Sequence, residues 1–160
     1  MEKRLAACAL ALLVATATPN MALAQEEPYG GNIAGWSFTQ DYDDRNGAMC
    51  KARRMAGGVE QTLVINEKGQ HFLGISTPPG MSGTMSASLS LVDGPMSVPA
   101  YVRGRFLWFG PMDDWSFETL AQEGGAVAVI PSKNFSQEVD LGTSTTAVAN
   151  NLYQCISNYS

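Results

Sequence analysis

The densest run of reactive side chains is DYDDRNGAMCKARR, residues 41–54, where three aspartates precede a turn and a cysteine. The acids Asp41, Asp43 and Asp44 invite a calcium reading. A calcium-binding helix–loop–helix needs an oxygen ligand at loop position five, glycine at six and glutamate at twelve. Counted from Asp41, those positions hold Arg45, Asn46 and Ala52, so the stretch reads as a solvated hairpin tip instead. A softer metal is conceivable through His71, the single histidine, with Met81 and Met85 and the nearby Met96, because thioethers and imidazole suit Cu(I). Methionine also fills gaps in cores, and Met85 continues an apolar strand face; these residues are weak metal candidates and no cofactor is expected.

Catalytic patterns are sparse. One histidine cannot build the usual multi-histidine zinc sites. No Gly-x-Ser-x-Gly elbow exists to present a nucleophile. Four arginines, Arg53, Arg54, Arg103 and Arg105, flank two glycine-containing turns and form a candidate patch for an anion or a partner if those turns share one end of the fold. The alternative is charge placed on turns for solubility. Acidic composition, a net charge of −5, disfavours nucleic acid or an anionic membrane as the main partner.

The first residues read as an export signal. Lys3 and Arg4 precede a short apolar core at 5–17, and Ala22-Leu23-Ala24 supplies a small-x-small cleavage site, so residues 1–24 are expected to be removed between Ala24 and Gln25. The apolar core is shorter than the ~20 residues a spanning helix requires, and no transmembrane segment is expected. Of three cysteines, Cys8 lies in this segment, with most of the apolar core after it rather than before it as a lipid anchor would need. Cys50 and Cys155 remain, and an even count in an exported chain predicts a disulfide. Closing a loop of about 100 residues adds ~4–5 kcal/mol of stability on the chain-entropy account.

The elements that must position these residues are mostly strands. Residues 25–34, QEEPYGGNIA, lack periodicity and read as a flexible leader to one domain at 35–160. Alternation begins at Trp36 and Phe38, and Asn46-Gly47 signals a two-residue hairpin returning through Cys50 and Ala52. Met85, Ala87, Leu89 and Leu91 alternate with Ser86, Ser88 and Ser90, the signature of a sheet with one wet face. Phe106-Leu107-Trp108-Phe109 is apolar on both sides, so both faces there need cover, and two helices are available to give it. Asp113 or Asp114 caps a short one ended by Gly124. Thr143 or Ser144 caps the last, whose stripe of Val148, Ala149, Leu152, Cys155 and Ile156 turns a thiol inward. The expected fold is mainly β: an antiparallel, β-sandwich-like sheet of about eight or nine strands with a C-terminal helix and a short additional helix.

Several short motifs resemble the invasion-associated locus B family of small exported alphaproteobacterial proteins. They are Gly35-Trp36 at the first strand, Cys50 on the second, Ser90-Leu91-Val92-Asp93-Gly94, and Val139-Asp140-Leu141-Gly142 leading to a helix with Ala147 and Leu152. The resemblance implies a β-rich periplasmic or secreted protein linked to the envelope or to host interaction, with no catalytic residues to carry over. The expected function is therefore non-enzymatic binding of a protein or envelope component by a disulfide-stabilised domain. A small-ligand or metal carrier, or a minor periplasmic hydrolase, is the alternative, and it predicts a concave pocket with His71 as the candidate centre.

Overall fold

The computed structural model describes residues 26–159; the expected signal segment at 1–24 and its cleavage site lie outside them. The described residues form ten strands and two α-helices. The first half holds β1 (Glu27–Pro28), β2 (Ser37–Asp43), β3 (Gly47–Ala56), β4 (Val59–Asn66) and β5 (His71–Ser76). Then come β6 (Thr84–Leu91), β7 (Gly94–Arg103), β8 (Phe106–Met112), α1 (Asp114–Glu123), β9 (Gly125–Ile130), β10 (Phe135–Asp140) and α2 (Thr145–Tyr159). All ten strands belong to one antiparallel sheet in the order β1-β2-β3-β4-β5-β8-β7-β6-β9-β10. The fold is mainly β with a C-terminal and a short additional helix, as the patterning predicts.

The sandwich-like enclosure comes from curling of a single sheet. Gln61 on β4 donates to the Asp140 carbonyl on β10 at 2.8 Å, and Arg54 on β3 donates to the same oxygen at 2.6 Å. Strands far apart in the sheet order therefore meet. Sheets twist with a fixed hand, and a sheet of this many strands curls rather than staying flat. Alternation then decides which side chains fall inside. Cys50, Ala52, Leu63, Ile65, Leu73, Ile75, Leu89 and Phe109 fill one core beneath α1 and α2. Their neighbours in sequence face outward.

Local signals placed the helices. Asp113 accepts the Ser116 N–H at 2.7 Å as the cap of α1, and Gly124 ends it in the left-handed region at φ 71°. On α2, Val148, Ala149, Leu152 and Cys155 are buried, and the Cys155 thiol meets Cys50 of β3 in a disulfide across 105 residues.

Two local expectations need correction. The β2–β3 turn is a three-residue loop at 44–46, since Asp43 pairs with Gly47, and among these residues only Gly47 takes a positive φ. The stretch read as a flexible leader carries β1: Glu27 and Pro28 pair with Gln40 and Thr39, and the Tyr29 N–H donates to the Phe38 carbonyl. A two-residue strand has no period to read, and it gains its ladder from the β2 edge. No described helix is long and apolar enough to cross a membrane.

Candidate functional site

The helices cover only the inner face of the sheet. On the outer face, strands β2, β3, β4, β5, β8 and β7 carry side chains that form an open groove of about 320 Å³. Register builds it row by row. Lys51 of β3 lies opposite Val64 of β4, and Val64 opposite Phe72 of β5. Gly74 of β5 lies opposite Trp108 of β8, and Trp108 opposite Tyr101 of β7. Gly74 lets the indole lie down on the sheet, because a Cβ there would stand 2.8 Å from Trp108 Cζ3. Met49 and Asn66 extend the floor, and Arg103 and Gly104 stand at one end. Phe72, Tyr101 and Trp108 are each half-buried, so their rings line the groove without closing it.

At the other end the polar groups are already engaged. Lys51 Nζ lies 2.9 Å from Asp41 Oδ2 and 3.6 Å from Glu26 Oε1. Burial opposes ionisation of Glu26, but the Thr39 hydroxyl and the cations Lys51 and Arg53 outweigh it and hold its pKa below the ordinary value. The aspartates thus include one, Asp41, that works as an ion-pair partner within the hairpin.

The four arginines do not assemble into one patch. Neighbours on β3, Arg53 and Arg54 point to opposite faces. Arg53 pairs with Glu26 at 2.9 Å. Arg54 is held by Gln61 and the Asp140 carbonyl and lies over the Trp36 ring at 4.9 Å, a structural post at the seam of the curled sheet. Arg105 pairs with Glu60 at 2.8 Å and covers Phe106. Among the described residues Arg103 alone of the four makes no hydrogen bond or ion pair, though its charge acts on the Tyr101 hydroxyl, and it is the one that reaches the groove.

His71 lies elsewhere, on the inner face and fully enclosed. Its ring stacks on Phe117 of α1 with centroids 4.7 Å apart, and tilts against Tyr153 of α2 at 5.6 Å. Nδ1 is 3.4 Å from the Met112 carbonyl, and Nε2 is 3.3 Å from Asp114 Oδ1, without the alignment of a hydrogen bond. Burial lowers the imidazole pKa, and the Met112 carbonyl and the acids Asp114, Asp113 and Glu118 offset this only in part. Burial, with Asp114 and Glu118, pushes the Tyr153 hydroxyl up to about 12. Met85 and Met96 pack on the core from β6 and β7, and Met81 packs on it from the β5–β6 loop. Among the described residues, no three His, Cys, Asp or Glu side chains converge as metal ligands.

Sequence reasoning missed Lys51, Phe72, Tyr101 and Trp108 as site residues. One signal was available: Phe106-Leu107-Trp108-Phe109 is apolar on both sides, and the helices that were expected to cover both faces cover one. The fold and the groove together define a curled antiparallel sheet, helix-backed on one side, with a ring-lined cleft on the other. No known protein family, characterised protein or solved structure matches the chain.

Proposed function

We propose that this is an exported, non-enzymatic binding protein whose contact surface is the outer groove between Lys51, Phe72, Tyr101, Trp108 and Arg103. The observation that carries the reading is the half-open row of rings on a sheet face that neither helix covers. Aromatic side chains left half-open beside a few placed polar groups are the usual composition of a binding pocket. Export is supported by the leading sequence, with its basic start, apolar core and Ala22-Leu23-Ala24, and by the Cys50–Cys155 bond, which persists in oxidising compartments. The groove takes a protruding group of a protein or envelope component.

A second reading, carriage of a free small ligand, is favoured by the groove's volume of about 320 Å³, near the lower end for small-molecule sites. The metal-carrier and hydrolase readings looked to a concave pocket around His71, and that ring is instead enclosed in the core. Native mass spectra of the protein from its own compartment, repeated on Trp108→Ala, test the proposal. Extra mass or a bound partner on the wild type that the variant loses supports it. Equal retention by both moves the contact surface away from the groove.

A further inference from the structure

The groove's unused polar groups all share one character. Asp41 accepts from Lys51 and from the Tyr42 N–H; Asn66 accepts from the N–H groups of Lys68 and Gln70 and donates to the Gln70 side chain. Lys51 is occupied by its two acids. Three lining groups make no hydrogen bond or ion pair within the described residues: the Arg103 guanidinium, the Tyr101 hydroxyl and the Trp108 indole N–H. All three can donate, and Arg103 is exposed, permanently charged and two residues from Tyr101 on the same face of β7. Around them the floor is apolar: Met49, Val64, Phe72 and the two larger rings.

We propose that the groove recognises a carboxylate carried on a flat apolar ring. The ring lies against Trp108, Tyr101 and Phe72, in the offset or edge-on arrangements that aromatic groups prefer. The carboxylate sits at the Arg103 end, where a guanidinium offers a planar fork of donors matched to its two oxygens and the Tyr101 hydroxyl adds a third. At the far end Lys51 is engaged by Asp41 and Glu26 and offers the ligand no free cation, which leaves Arg103 to take the carboxylate. A hydroxyl-rich sugar ring would place several polar groups over Val64 and Phe72 with nothing there to pair them. This inference rests on the groove being the binding surface.

The test is a titration of ¹⁵N-labelled protein followed by NMR, reading the Trp108 indole signal. The probes are 2-naphthoate, its neutral amide and glucuronate. The carboxylate is expected to bind at least ~10-fold more tightly than the amide, the size of one charge-assisted hydrogen-bonding contact. Arg103→Gln, a change at an exposed side chain with no hydrogen bond or ion pair among the described residues, keeps the fold and abolishes that preference. Glucuronate is expected to bind more weakly than naphthoate. Equal binding of acid and amide, or a preference that survives Arg103→Gln, overturns the anion assignment while the groove stands. Tighter binding of glucuronate overturns the flat apolar ring. No shift of the Trp108 signal with any probe overturns the groove itself and the binding reading with it.

Discussion

His71 illustrates how one residue's setting decides its chemistry. Two effects compete on its ring: burial disfavours the imidazolium, and the neighbouring acids favour it. Asp114 is largely exposed, so solvent screens its charge, and burial wins; the folded pKa lies below 6.5. The unfolded chain then binds a proton at pH values where the folded one does not. Stability from this site is complete above pH ~6.5 and is lost progressively as pH falls from there toward the lowered folded value. The single imidazole is expected to titrate by NMR with a midpoint under 6.5, and His71→Gln to flatten the fall in melting temperature between about pH 7 and 5. A midpoint above 6.5 would show that Asp114 dominates. Gly74 is the corresponding residue for the groove. Gly74→Val places a branched side chain where the Trp108 ring rests, and is expected to shift the indole signal and remove ligand binding together. Binding unchanged in that variant would separate the ring from the site.

Among elements, α2 has the most to lose from a single truncation. Its buried stripe packs on β3 and β4 and against α1, and Leu152 is wholly enclosed. Leu152→Ala is expected to cost ~2–5 kcal/mol in urea denaturation, because it removes a transfer contribution and leaves a cavity. Gln154→Ala, on the exposed side of the same helix, should stay within ~0.5 kcal/mol. This helix was legible in the sequence because its spacing and buried stripe are local. So were Asp113 and Gly124 at the ends of α1. Less local features were not. The β2–β3 loop is one residue longer than Asn46-Gly47 suggested, since Gly47 alone carries the positive φ and opens β3. β1 exists through its partner strand. The groove draws its floor from separate strands brought together by register, and no window of sequence contains it. What the sequence did hold was an excess: Trp108 and Phe106 are apolar on the side where Ser86 to Ser90 show how a wet face reads.

For the molecule as a whole, the Arg54 and Gln61 bonds to Asp140 and the Cys50–Cys155 disulfide both join the early strands to the C-terminal third. They act on different states. The hydrogen bonds stabilise the folded form, whereas the disulfide chiefly restricts the unfolded chain, and at a separation of 105 residues the closed loop is long. Reduction, or the double change Cys50→Ser with Cys155→Ser, is therefore expected to lower unfolding stability by ~2–5 kcal/mol. It should also steepen the dependence on urea, because a chain freed of its cross-link exposes more surface when it unfolds. Arg54→Met should lower stability without changing that slope. The single variant Cys50→Ser should free the Cys155 thiol to react with a thiol reagent on denaturation. A reduced wild type with unchanged slope and a loss equal to the packing change alone would place the disulfide's effect in the folded core, beneath α2, rather than in the unfolded chain.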